Sequence, residues 1–191
     1  LPSLGAALRV SVFHGDTNDI VSTNGGFDFV AGLFLFTPVN IGQSTATGLE
    51  ISIKGSVGDQ WRWGASYTPM TIDDHFAPGF TIETTLIDFE HMLSKHVVNA
   101  NVGWSRGPWE VDAYLRYQSS FAGVRFSTDF FTPPFLAPIS DYISIDARVA
   151  YELNDRMTLA LAGQNITRSE QRQTSSSEVE RRLLGTFSIS F

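Results

Sequence analysis

Apolar and polar residues alternate with a period of two in run after run along this chain, and no other feature limits the possible folds as strongly. Successive side chains of a strand point to opposite faces, so such runs build ribbons with one apolar and one polar face. Leu8, Val10 and Val12 alternate with Arg9 and Ser11, and Leu49, Ile51 and Ile53 with Glu50, Ser52 and Lys54. Trp61, Trp63, Ala65 and Tyr67 oppose Arg62, Gly64, Ser66 and Thr68; Val98, Ala100, Val102 and Trp104 oppose Asn99 and Asn101. Trp109, Val111, Ala113, Leu115 and Tyr117 face away from Glu110, Asp112, Tyr114 and Arg116. Ile143, Ile145, Ala147, Val149 and Tyr151 oppose Ser144, Asp146 and Arg148. Leu159 and Leu161 oppose Thr158 and Ala160, and Phe187, Ile189 and Phe191 oppose Ser188 and Ser190.

These are about eight runs of roughly ten residues, the length of a tilted membrane strand. Gly58-Asp59, Gly107-Pro108 and Asn154-Asp155 read as short turns, whereas segments 15–44, 71–95, 118–141 and 167–181 read as long connections, and the two kinds alternate. Short turns at one end and long loops at the other define an up-and-down transmembrane β-barrel sheet. Trp61, Trp104, Trp109, Tyr151 and Phe191 lie beside short turns or the chain end, and Tyr67, Tyr117 and Tyr142 lie further along their strands. The separation is on the order of 15–20 Å at ~3.3 Å per residue, which predicts an aromatic girdle at each membrane interface. Alternation by itself also suits a soluble antiparallel sandwich, but a sandwich face is not normally aromatic at both ends of its strands.

Composition narrows the class. Hydrophobic residues make up 42% and mean hydropathy is −0.02, yet there are 15 Phe, 4 Trp and 5 Tyr. No apolar run reaches the roughly 20 residues of a spanning helix, whereas a barrel, meeting lipid with alternate residues only, stays near neutral hydropathy. A net charge of −7 without clustered Lys or Arg argues against nucleic acid as partner. With no Cys there are no disulfides, thiolate metal sites or Cys nucleophiles. The chain begins at Leu1 with neither an initiator Met nor a leader-like segment, which points to a removed leader or an amino-terminal part beyond this chain.

Glu50, Lys54, Arg62, Glu110, Asp112, Arg116, Asp146 and Arg148 all fall in the polar phase of the alternation and are candidates to line a lumen. So many charges could not be buried dry, so the lumen must be wet or hold a polar plug. An eight-stranded closed barrel is just wide enough for its own side chains, so a wet lumen requires more strands than this chain supplies.

Three stretches resemble the carboxy-terminal barrel of TonB-dependent receptors. Ala46-Thr47-Gly48-Leu49-Glu50, followed by Trp61-Arg62-Trp63-Gly64-Ala65-Ser66-Tyr67, is similar to a strand opening and the strand after it in that family. Ile145-Asp146-Ala147-Arg148-Val149, continuing to Leu159-Ala160-Leu161-Ala162-Gly163-Gln164-Asn165-Ile166, resembles two further strands. Glu178-Val179-Glu180-Arg181-Arg182, leading through Gly185 to Phe191, resembles the family's ending. The resemblance implies a barrel of about 22 strands with a globular plug in its lumen, embedded in the lipid of the bacterial outer membrane. Residues 1–191 would be its carboxy-terminal part, supplying about eight strands and no plug domain. It further implies energised uptake of a scarce nutrient, a ferric siderophore being the commonest cargo, through the TonB complex contacting the plug. Phe191 resembles the signal read by the barrel assembly machinery. The alternatives are a self-contained small barrel with a structural or adhesion role, which must pair the strand near Ala7–His14 with that near Leu184–Phe191, and a porin-like passive channel.

The outer connections hold the remaining candidates. Phe76 and Phe80, and Phe126 and Phe130, lie with Phe89, Phe131 and Phe135 in two long segments, where exposed rings either contact a hydrophobic or planar ligand or pack loop on loop. Asp73, Asp74, Glu83, Asp88 and Glu90 with His75 and His91 carry donors for a divalent cation, but their spacing matches no known metal loop and a solvated acidic loop is the expected state. Four His, at 14, 75, 91 and 96, in or beside connections, and no nucleophile-elbow pattern give no basis for an enzyme; no catalytic residue, metal or cofactor is expected. Asn165-Ile166-Thr167 is a formal glycosylation sequon, read most simply as a strand end entering a loop.

Overall fold

A computed structural model describes residues 5–28, 32–129 and 132–191; the side chains of residues 24–28, 34, 83 and 84 lie outside that description. In chain order the elements are β1 (Ala7–Asp28), β2 (Leu33–Val57), β3 (Trp61–Phe76), α1 (Ile82–Thr85), α2 (Phe89–Met92), β4 (His96–Arg106) and β5 (Trp109–Gln118). There follow β6 (Phe121–Arg125), β7 (Phe135–Ile139), β8 (Tyr142–Asn154), β9 (Met157–Gln164), β10 (Glu170–Gln171), β11 (Val179–Glu180) and β12 (Arg182–Ile189). Eight strands form one antiparallel sheet in the order β1-β2-β3-β4-β5-β8-β9-β12, every long strand pairing with the next in sequence. All three expected short turns are present, with Gly58 and Gly107 at φ of +58° and +56°, a left-handed conformation that costs glycine nothing.

The register fixes two faces. Trp61 opposes Trp104, Tyr67 opposes Val98, Trp109 opposes Tyr151 and Leu159 opposes Phe187, so the apolar phases of neighbouring strands coincide. Much of this face is bare: Leu8, Val10, Val12, Trp61, Val102, Trp109, Leu159, Leu161, Phe187 and Ile189 are all exposed. If it faces water, each such side chain forgoes a good part of the roughly 1.5–3 kcal/mol that full burial would contribute. A soluble sandwich would cover the face with a second sheet, but among the described residues the other sheets are only the hairpins β6-β7 and β10-β11. A lipid-facing barrel wall is the arrangement in which that face is satisfied.

β1 and β12 lie at opposite ends of the sheet order and do not pair, so the described residues form an open sheet, a part of a barrel. The self-contained small barrel required that pairing and is not what the chain builds.

The connections are more ordered than the sequence reading expected. Segment 15–44 is largely strand: β1 continues to Asp28 and β2 begins at Leu33, in register from Ala7↔Lys54 to Asp28↔Leu33 with a bulge near Thr17–Ile20. Val10 is level with Ile51 and Tyr67, so at ~3.3 Å per residue roughly 60 Å of β1 projects past the aromatic level. Thr, Val and Ile keep this part extended, while the apolar–polar alternation lapses because beyond the lipid neither face must be apolar. Segment 71–95 begins as the end of β3 and then forms α1 and α2, and 118–141 contains the β6-β7 hairpin. His14 and His75 consequently lie within strands, not in connections.

Candidate functional site

The face opposite the bare apolar one carries the charge. Paired residues share a face, and the ladder Arg9↔Ser52↔Ser66↔Asn99↔Arg116↔Ser144 runs across six strands of it. Ladders in the same phase place Glu50, Lys54, Arg62, Glu110, Asp112, Arg116, Asp146 and Arg148 on this one face.

Near the short turns four of them meet. Arg62 on β3 donates to Glu110 at 2.9 Å and Asp112 at 3.0 Å, and Arg148 on β8 donates to the same two carboxylates at 2.7 and 3.4 Å. Arg62 must cross β4 to reach β5, and the residue beneath it is Gly103. A Cβ at Gly103 would lie 2.7 Å from Arg62 Nε and 2.8 Å from Asp112 Oδ1, so the missing side chain makes room for the bridge. Sequence reading found the four charges but not Gly103, whose only sign was a glycine in the polar phase of its strand.

Towards the long connections the face changes character. Arg116 donates to Gln118 Oε1 at 3.0 Å, and the buried Tyr142 hydroxyl donates to the same oxygen at 2.7 Å. Tyr142 therefore belongs to the polar face and not to an interfacial girdle, because Ile143 and Ile145 occupy the apolar phase of β8. At this end the apolar face keeps Tyr117 and Tyr67, the latter bonded to His96 Nδ1 at 2.9 Å with its ring stacked on the imidazole. At the short-turn end Trp109 meets Tyr151 edge-on at 4.6 Å, and Trp61 lies 6.3 Å from Trp104.

The outer segments are pinned to the sheet by polar contacts. Asn165 is 1% exposed with φ of +49°; its N–H donates to Asp146 Oδ1 at 2.8 Å and its amide to the Val179 carbonyl at 3.0 Å. The sequon asparagine is thus a buried corner, closed to an oligosaccharide. Gln171, also buried, donates to the Ile143 carbonyl at 3.0 Å and holds the β10-β11 hairpin on β8.

Three carboxylates of the acidic segment are engaged within its own fold. Asp88 caps α2, accepting from the His91 N–H at 3.0 Å and contacting its ring at 2.8 Å. Asp74 accepts from the Glu90 N–H at 3.0 Å, and Glu90 meets Lys95 at 3.4 Å. Among the described residues no three His, Cys, Asp or Glu side chains are placed to hold a metal ion. Phe76 ends β3 half-buried, Phe80 is half-buried after it, and Phe126 is exposed beyond β6. Phe130 and Phe131 lie outside the described residues.

An open antiparallel sheet with one bare apolar face, one charged face and short turns at a single end defines part of an outer-membrane-type barrel wall. The TonB-dependent receptor-like β-barrel family matches residues 3–166, and the chain belongs to that family. Similar solved structures include the pyoverdine outer membrane receptor FpvA of Pseudomonas aeruginosa bound to pyoverdine, with a TM-score of 0.71, 14% identity, and 98% of this chain and 27% of that one covered. The closed form of the ferric-catecholate import receptor Fiu of E. coli gives 0.67, 19%, 97% and 25% for the same quantities. The FrpB iron transporter of Neisseria meningitidis gives 0.66, 15%, 94% and 28%. The chain therefore spans about a quarter of the length of these structures. A search of the curated proteins finds no match. No helix among the described residues is long and apolar enough to cross a membrane, which says nothing against crossing by strands.

Proposed function

We propose that residues 1–191 form the carboxy-terminal part of the barrel of a receptor in the bacterial outer membrane, which takes up a scarce nutrient with energy delivered through TonB. The observation that carries this reading is the family match across residues 3–166. The charged face of the sheet is the wall of the lumen, and Glu50, Lys54, Arg62, Glu110, Asp112, Arg116, Asp146 and Arg148 line it. Outer-membrane lipid meets the opposite face, where Trp109 and Tyr151 mark one interface and Tyr67 and Tyr117 the other. Plug and remaining strands belong to the full-length receptor, and the plug is the part that meets TonB. Phe191, closing the alternating run Phe187, Ile189, Phe191, is the candidate signal for the barrel assembly machinery. The cargo is a metal chelate of the ferric siderophore kind, captured by the outer segments with Phe76, Phe80, Phe126 and Phe130 as contact candidates. Similar solved structures described as a ferric-catecholate import receptor, an iron transporter and a pyoverdine receptor support that cargo.

The test is uptake of radiolabelled ferric chelates by cells carrying the full-length receptor. Uptake that ceases on deletion of the receptor, on deletion of tonB and on addition of a protonophore is the expected result. Accumulation that ignores tonB and the protonophore would make the protein a passive pore and sink the reading.

A further inference from the structure

In the half of the charged face nearer the long connections, six side chains form a small grid. Asn99, Arg116 and Ser144 are paired in one row and Asn101, Tyr114 and Asp146 in the next, on β4, β5 and β8. They line a recess of about 280 Å³, to which the segment joining β10 and β11 contributes Gln173. That volume suits a single sugar-sized or citrate-sized group.

The chemistry of the grid is specific. Arg62 and Arg148 are already neutralised by Glu110 and Asp112, but Arg116 takes part in no ion pair among the described residues. One of its N–H groups goes to the neutral Gln118, which holds the guanidinium in place without cancelling its charge. A planar guanidinium with free donors matches the two oxygens of a carboxylate. Around it Asn99, Asn101, Ser144 and Gln173 supply amide and hydroxyl groups, and Asp146 is an acceptor for hydroxyl hydrogens. Tyr114 is 54% exposed, and its ring offers a flat apolar platform beside these polar groups. Gln173 is itself positioned: it donates to Gln171 Oε1 at 3.0 Å, and Gln171 is anchored to β8 through the Ile143 carbonyl.

We infer that this recess is a binding subsite for a hydroxycarboxylate, with Arg116 taking the carboxylate, the amides and Asp146 the hydroxyls, and Tyr114 the carbon skeleton. The inference rests on the receptor reading and names the ligand chemistry of its lumen wall. A hydroxycarboxylate can arrive as a free sugar acid or as the arm of a metal chelate.

Isothermal titration of the purified full-length receptor with galacturonate, galactose, citrate and ferric citrate tests it, alongside the Arg116→Gln and Arg116→Lys variants. At least one acid should bind about tenfold or more tightly than galactose, and Arg116→Gln should abolish that preference while Arg116→Lys keeps part of it. Preference for galacturonate identifies a sugar acid as the source, and preference for ferric citrate over citrate identifies a chelate. Galactose binding as tightly as every acid, or no acid responding to Arg116→Gln, overturns the proposal. If Arg116→Gln lowers the thermal midpoint without moving any affinity, Arg116 is a docking point for the plug and the subsite is refuted. Energised uptake persisting in either case would leave the receptor reading standing; acid binding at Arg116 without energised uptake would leave the subsite and remove the receptor.

Discussion

Arg62 and Asp112 stand on strands that are not neighbours, β3 and β5, yet their side chains are 3.0 Å apart across the bare backbone of Gly103. One missing side chain thus allows an ion network to span four strands, from β3 to Arg148 on β8. Gly103→Ala should displace it, since the new Cβ would meet three atoms of Arg62 and Asp112 closer than 3.0 Å. The full-length barrel should then lose its heat-resistant gel mobility a few degrees earlier than wild type, and Arg62→Ala should produce little further loss in the Gly103→Ala background. Fully additive losses would show that the two residues do not act together.

The two faces of one strand should respond oppositely to the same charge. Ala65 lies on the apolar face, proposed to meet lipid, between Ile53 and Ala100, and Ser66 on the polar face between Ser52 and Asn99. Ala65→Arg places a guanidinium in hydrocarbon at a cost of about 2–4 kcal/mol near the midplane, so folded receptor in the outer membrane should fall sharply. Ser66→Arg should assemble at close to wild-type level. Equal losses by quantitative blotting would mean that the face assignment is wrong.

What could be read from the sequence followed from how strictly lipid enforces alternation. Each main-sheet strand was visible because one side of it has to be apolar, and the polar phase gave the eight lumen candidates for the same reason. Above the membrane that constraint lapses, so the continuation of β1 to Asp28 and of β2 from Leu33 carried no periodic mark. Tyr142 was misplaced because its residue type suggested a girdle, although Ile143 and Ile145 had already fixed the phase that turns it inward to Gln118. The Arg116 recess needs pairing registers across three strands and a side chain from the β10-β11 segment, none of which a single sequence displays.

Phe191 follows β12 and is fully exposed, with no described side chain packed over it. If Phe191 acts as the proposed assembly signal, its substitution should separate yield from stability. Phe191→Ala should reduce folded receptor in the membrane several-fold, while the fraction that does assemble melts at the wild-type temperature. A lowered melting point with normal yield would instead make Phe191 an ordinary packing residue.

Asn165 gives the sharpest stability test, because its backbone and its amide are used for different purposes. At φ of +49° a non-glycine residue sits in the left-handed region, which asparagine tolerates better than most. Its amide satisfies the Val179 carbonyl at 3.0 Å while its N–H is held by Asp146 at 2.8 Å. Asn165→Gly keeps the conformation and loses the carbonyl's partner, so it should cost on the order of 1–3 kcal/mol. Asn165→Leu loses the same bond, adds roughly 1–2 kcal/mol of backbone strain and brings a branched side chain into a site 1% exposed. The expected order of urea midpoints for the full-length barrel is wild type, then glycine, then leucine. If glycine matches wild type, the bond to Val179 contributes nothing; if leucine matches glycine, the left-handed corner has been rebuilt, and protease cleavage between residues 167 and 181 would show whether the β10-β11 hairpin has come away from β8.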